Sequence, residues 1–305
     1  MRIVFMGTPD FAVASLDALV TAGFDVVGVI TAPDKPAGRG QKIAEPAVKK
    51  YAVSKNLPVL QPEKLKSPEF IEQLRALNAD LQVVVAFRML PEVVWNMPPK
   101  GTINLHASLL PQYRGAAPIN WAVINGETET GVTTFFLKHE IDTGNILFSE
   151  KVPVDDEDTA GDIHDKLMQT GAALLVKTVQ AIADGQYQEI PQSSIDDEAL
   201  KHAPKIFKET CQINWNQPVK QVHNLIRGLS PYPTAFTTFD NKTLKIFKAE
   251  VQEKEPGIQP GGYLTDSKTY LKFACRDGFI CAKNVQLEGK KRMDIEEFLR
   301  GLRVG

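Results

Sequence analysis

The sequence predicts an α/β protein with a doubly wound, mostly parallel sheet, followed by a small β-barrel or sandwich toward the C-terminal end. Three observations carry this. Apolar runs alternate with stretches of helical periodicity as far as Asp184. "LQVVVAF" (81–87) is apolar without alternation, as a strand covered on both faces must be. After Lys205, short alternating segments recur at roughly the 8–12 residue spacing of a small all-β unit.

"RIVFM" (2–6) reads as a buried strand closed by the turn Gly7-Thr8-Pro9-Asp10. Apolar residues at 12, 13, 16, 19 and 20 predict a helix over 11–21, with Gly23 as its C-cap. "DVVGVIT" (25–31) and "LPVLQP" (57–62) are the next strands, and a helix over 67–78 starts near Ser67-Pro68. Strands at 81–87 and "TINLHA" (102–107) follow; "GVTTFFL" (131–137) and "NILFSEKVPV" (145–154) extend the sheet. A long amphipathic helix runs from about Thr159 to Asp184, Thr159 and Asp162 forming a capping-box-like start. These elements make a first domain over 1–188. The polar stretch 189–204 reads as a linker, and 205–305 as a second domain with one helix at 218–229.

Of 305 residues, 43% are hydrophobic and 24% charged, the balance of a soluble globular protein of one or two domains. Cys211, Cys275 and Cys281 form no C-x-x-C pair, and the five histidines are scattered, so reduced thiols and no metal site are expected. The apolar start of "MRIVFMGTPDF" is too short for a signal peptide, and no run is long enough to cross a bilayer. A cytoplasmic protein is expected, with no membrane partner. The net charge of −2 hides a split: residues 1–204 carry 18 Lys+Arg against 26 Asp+Glu, residues 205–305 carry 17 against 11. A basic second domain suits a polyanionic partner. Trp95, Trp121 and Trp215 sit among apolar residues and are read as core; Lys290, Lys291 and Arg292 are read as a solvated run.

Gly7 stands alone where G-x-G-x-x-G needs three glycines, and G-x-x-x-x-G-K-[ST] is absent, so neither a dinucleotide nor a nucleoside triphosphate is predicted. Asn104 and His106 are more informative. Two apart on a strand, they face one side at the carboxyl edge of the sheet, where ligands bind in this fold class. Alone they would be a hydrogen-bonded polar pair. Asp142, in the loop "HEIDTGNIL" (139–147) between two strands, can reach a neighbouring strand end. Asn, His and Asp together suit acyl transfer to an amine: a carboxamide donates to an oxyanion, an imidazole exchanges protons near neutrality, and a carboxylate orients it. "HASLLP" lacks the G-x-S-x-G elbow, so Ser108 is not read as a nucleophile.

Asn104-x-His106, "SLLPQYRGAAPI" (108–119) and "DTG" (142–144) resemble the folate-dependent formyltransferases. The resemblance implies the formyltransferase fold, 10-formyltetrahydrofolate as co-substrate, and catalytic roles for Asn104, His106 and Asp142. It also implies that Ser108, Leu109, Leu110 and Pro111 line the folate site. "FMGTPDFA", "DKPAGRGQK" (34–42), "IRGLSPYPTAF" (226–236) and "GKKRM" (289–293) are similar to the members that formylate aminoacyl-tRNA. In those members the second domain is a β-barrel resembling an OB fold that holds the tRNA. The implied acceptor is initiator methionyl-tRNA, contacted by Arg39 with Lys35 and Lys42; neither DNA nor an obligatory protein partner is implied. Phe87, Arg88, Met89 and Leu90 would meet the pterin through backbone groups. Here the sequence departs, since "VVVAFRMLP" (83–91) is shorter than the Tyr-Gly-containing form and closer to purine-pathway formyltransferases. A small-molecule N-formyltransferase and a non-catalytic RNA-binding protein are the alternatives.

Overall fold

In the computed structural model, which describes residues 1–37, 42–192 and 199–302, Ile3 to Met6 of strand β1 (Arg2–Gly7) are fully buried at the middle of a sheet. Helix α1 (Asp10–Thr21) buries Phe11, Ala12, Leu16 and Leu19 and ends at Gly23, whose φ of +81° is the expected left-handed stop. A Cβ on Gly7 would stand 2.6 Å from the Ala12 Cβ, so the helix can start this close to the strand only above a glycine.

The chain continues through β2 (Asp25–Ile30), the antiparallel hairpin stem β3 (Lys35–Ala37) and β4 (Lys42–Ala44), α2 (Ala47–Ser54) and β5 (Val59–Leu60). The strand predicted over 57–62 keeps two residues, because Pro58 and Pro62 bracket it and cannot donate to a ladder. Helix α3 (Pro68–Ala76) is capped by the Ser67 hydroxyl, which accepts from the Phe70 N–H. Strand β6 (Leu81–Val85) is buried on both faces and stops at Ala86, where φ turns to +47°. Then come α4 (Glu92–Trp95), β7 (Thr102–His106), β8 (Arg114–Gly115), α5 (Pro118–Ile124), β9 (Glu129–Phe136), β10 (Ile146–Pro153) and α6 (Ala160–Asp184). The predicted capping box is present: Thr159 N donates to Asp162 Oδ2 at 2.9 Å, and Asp162 N donates to Thr159 Oγ1 at 3.2 Å.

The sheet order is β10-β9-β7-β6-β1-β2-β5. Pairs β1/β2, β1/β6, β6/β7 and β2/β5 are parallel and β7/β9 is antiparallel, so the sheet is mostly parallel, as predicted.

The chain forms two compact units. One holds Met1–Arg114, Thr130–Val152 and His164–Lys201; the other holds Gly115–Glu129, Pro153–Ile163 and the chain from His202 onward. The run predicted as one domain, 1–188, is thus shared between them. In the second unit, Asn120 Nδ2 on α5 donates to Gly228 O at 2.8 Å, and Ile124 packs on that unit's core.

The second unit adds β11 (His202–Ala203), α7 (Val219–Gly228), β12 (Ala235–Phe239), β13 (Lys242–Gln252), β14 (Tyr263–Thr265), β15 (Leu271–Ala274), β16 (Phe279–Leu287), β17 (Met293–Asp294) and α8 (Ile295–Arg300). Strands β12 to β17 form an antiparallel sheet curled as a half-barrel. Trp215 stacks on Phe273 at 4.8 Å in its core, as expected, whereas Trp95 and Trp121 are only half-buried. Arg227 is 7% exposed; its Nη1 donates to Asp155 O and Asp158 O, both at 3.0 Å. A bulge between Ile246 and Lys248 sets Lys245 opposite Gln286 and Lys248 opposite Asn284, so both lysines share one face. The predicted solvated run is partly engaged: Lys291 pairs with Glu297 at 3.2 Å, and Arg292 lies over the Phe247 ring at 4.2 Å.

Candidate active site

Strand β7 alternates as predicted: Ile103 and Leu105 are buried on one side, and Asn104 and His106 face the other. Among the described residues the half-buried Asn104 carboxamide has no hydrogen-bond partner. The His106 ring is held at one edge, where Nε2 donates to Tyr113 O at 2.9 Å. Tyr113 is fixed in turn by its own N–H, which donates to Lys201 O at 2.6 Å. Nδ1 of His106 therefore faces Asp142, whose Oδ2 lies 3.9 Å away. That is beyond hydrogen-bond length, and a substrate atom about 3 Å from each can bridge them.

Asp142 sits between β9 and β10 with φ +55°. A Cβ at Gly144 would fall 1.6 Å from Phe136 O, so this loop folds onto the end of β9 only because residue 144 has none. Gln192 closes the loop from outside. Its Nε2 donates to Asp142 O and Gly144 O, both at 2.8 Å, while Arg114 donates to its Oε1 from Nε at 3.1 Å and Nη2 at 2.7 Å. Sequence reasoning missed Gln192, which lies in a polar stretch read as linker with no periodicity to mark it. Arg114 falls within the stretch 108–119 that carries the family resemblance, but had no role of its own there.

The structure brings Asn104, His106 and Asp142 to one end of β7; the other expected residues stand as follows. Ser108 is fully buried, and its hydroxyl donates to Gln112 O at 2.7 Å, so it shapes the turn and offers no free hydroxyl. Leu110 is buried, its N–H donating to Thr133 Oγ1 at 3.2 Å; Leu109 and Pro111 are half-buried. Phe87 and Leu90 pack on the core beside β6, while Met89 is 72% exposed. Arg88 donates from Nη1 to Glu63 O at 2.9 Å and from Nη2 to Pro62 O, and burial lowers its pKa. Lys35 is exposed on β3 and Lys42 opens β4; Arg39 lies outside the described residues. Below that stem, Lys49 bridges Asp34 at 2.5 Å and Glu45 at 2.7 Å. Its hydrogen bond, then that of Gln61, holds the Asp34 carboxyl below the usual range.

Residues 1–179 match the family model of the formyl transferases and residues 205–303 that of the formyl transferase C-terminal domain, which sets the class of the chain. The methionyl-tRNA formyltransferase of Bacteroides fragilis is 59% identical over 307 residues, covering 99% of this chain and 95% of that protein. That of Parabacteroides distasonis is 60% identical over 311 residues, covering 99% and 96%. The chain belongs to the methionyl-tRNA formyltransferase family. Two solved structures share the fold at TM-score 0.69 and 22% identity: WlaRD, a sugar 3N-formyl transferase, and the N-formyltransferase of Helicobacter canadensis. They cover 95% and 96% of this chain and are themselves covered over 99% and 100%. Among the described residues no helix is long and apolar enough to cross a membrane.

Proposed function

We propose that this chain transfers the formyl group of 10-formyltetrahydrofolate to the α-amine of initiator methionyl-tRNA in the cytoplasm. The observation that carries the reading is the meeting of Asn104, His106 and Asp142 at the carboxyl end of β7, in a chain 59% identical to a methionyl-tRNA formyltransferase. The folate supplies an N-formyl carbon: the amine attacks it, and when the tetrahedral adduct collapses the carbon–N10 bond breaks, so that tetrahydrofolate leaves with N10 taking up a proton that the amine gives up. The Asn104 carboxamide donates to the formyl oxygen as charge builds there. Protonated Nδ1 of His106 is the second donor, held in place by the Tyr113 carbonyl on the far nitrogen. Asp142, across the 3.9 Å gap from Nδ1, accepts from the attacking amine and helps it lose its proton. No protein nucleophile is needed, and the Ser108 hydroxyl is already committed to Gln112. Segments Phe87–Leu90 and Ser108–Pro111 wall the donor site. Lys35, Arg39 and Lys42 take the acceptor end, and Lys245 and Lys248, on one face of β13, meet phosphates. In this division of labour the chemistry belongs to the unit that holds Met1–Arg114, Thr130–Val152 and His164–Lys201, and the tRNA grip to the basic stretch 205–305.

The test follows label from 10-formyltetrahydrofolate with charged initiator tRNA offered beside small amines. Label is expected on the tRNA; label on the small amines alone refutes the reading. His106→Ala with near-normal turnover would remove the imidazole from the mechanism.

A further inference from the structure

We infer that Gln192 is a positioning residue, setting the place of Asp142; the inference rests on the reading that Asp142 works beside His106. Loop 137–145 leaves β9 where Leu137 N donates to Thr102 O at 2.8 Å, and returns where Phe136 N donates to Asn145 O at 3.1 Å. Between those anchors Asp142 takes a left-handed conformation, which an Asp tolerates but does not enforce. The two carbonyls flanking Thr143, those of Asp142 and Gly144, both accept from the single amide nitrogen of Gln192. A carboxamide carries two N–H donors, so one side chain fixes two peptide units of the same loop.

The orientation of that amide follows from chemistry. Arg114 only donates, so the Gln192 oxygen must face it and the nitrogen must face the loop. A strap brings Gln192 to this place: the Tyr187 ring lies 5.9 Å from that of Phe136, Glu189 Oε2 accepts from Asn145 Nδ2 at 2.7 Å, and Ile190 and Ile146 exchange backbone bonds at 2.8 Å. The segment after α6 thus runs along the Asp142 loop and ends on it.

Three variants test this. Gln192→Ala removes the whole bridge. Gln192→Glu keeps a partner for Arg114 but removes both donors and sets an acceptor against two carbonyls. Asp142→Asn tests the underlying reading. The measurements are kcat, KM for each substrate and the thermal midpoint. Both Gln192 variants are expected to lose about 10- to 100-fold in kcat, with each KM within about twofold and a midpoint lowered by a few degrees that stays above the assay temperature. Gln192→Glu with wild-type kcat overturns the inference, since anchoring to Arg114 would then be the whole role. A loss confined to KM, or a midpoint fallen below the assay temperature in both variants, overturns it as well. If Asp142→Asn is inactive and the Gln192 variants are normal, the inference alone fails. If Asp142→Asn keeps its kcat, the underlying reading fails whatever the Gln192 variants do.

Discussion

Replacing Gly144 by alanine tests how closely Asp142 is held. The added Cβ would stand 1.6 Å from Phe136 O, 2.8 Å from the carbonyl carbon of Phe136 and 3.1 Å from the Phe135 ring, where ordinary contact begins near 3.4 Å. Something must retreat by about 1.5–2 Å in a close-packed neighbourhood. Strand β9 is poorly placed to give way, because Phe135 is fully buried and β9 is laddered to β7 at Ile103 and Asn104. The loop moves instead; Gly144 O leaves Gln192, and Asp142, two residues upstream, moves too. A misplacement of about 1 Å can cost about 100-fold in rate, which is about 2.7 kcal/mol in the barrier. Breaking that hydrogen bond removes about 1 kcal/mol of stability, too little to unfold the unit. The assay is kcat with saturating folate donor and charged initiator tRNA, run beside the thermal midpoint. A roughly 100-fold fall in kcat is expected, with KM for the tRNA within about threefold. A Gly144→Ala protein whose kcat stays within about threefold of wild type refutes the reasoning, since the close approach would then not set the place of the carboxylate.

Asn104→Ala should lower kcat by about 100- to 1000-fold, as loss of one oxyanion donor does, and leave the folate dissociation constant nearly unchanged in a fluorescence titration. Lys245→Glu with Lys248→Glu should weaken tRNA binding and flatten the slope of log affinity against log salt by about one for each phosphate left unneutralised. Burial pushes the His223 imidazole down, against the opposing pull of the Ala249 carbonyl. The unfolded chain therefore binds that proton first; the stability is full above about pH 6.5 and declines as pH falls toward the folded value. Urea midpoints between about pH 7 and 5 should accordingly drop less in His223→Gln than in wild type. The Cys275 thiol is pushed up to about 12 by burial and by Asp277, so alkylation at about pH 8.5 should label it only after unfolding.

The parts of the fold legible in the sequence are those whose signal is local. Gly23 stops α1, Thr159 and Asp162 open α6, and the polar positions of β7 lie on the face that alternation assigns them. Strand ends were less legible: β6 stops at a left-handed alanine, Ala86, a conformation that no residue preference announces. Helix α2 and the hairpin stem β3/β4 carried too few periodic residues to stand out. In the site, chemistry was legible and support was not. Asn104, His106 and Asp142 were visible because their side chains are costly to place without purpose. Tyr113 acts on His106 through a carbonyl, which every residue owns. Gln192 acts from 50 positions away through two peptide groups, and no spacing rule connects it to Asp142.

Strand β7 has a parallel neighbour on one side, β6, and an antiparallel one on the other, β9. Because β9 runs the other way, it ends beside Ile103, about 10 Å down the ladder from His106 at strand rise. The chain must double back to deliver Asp142. Half of the site is therefore as durable as the sheet itself, and half depends on ties within a surface loop. Amide exchange should separate them: β7 exchanges only through global unfolding, residues 137–145 through openings of much lower free energy. With rising denaturant, activity should then vanish while the sheet still stands, and on refolding the strand half would wait, complete, for the carboxylate to be tied down.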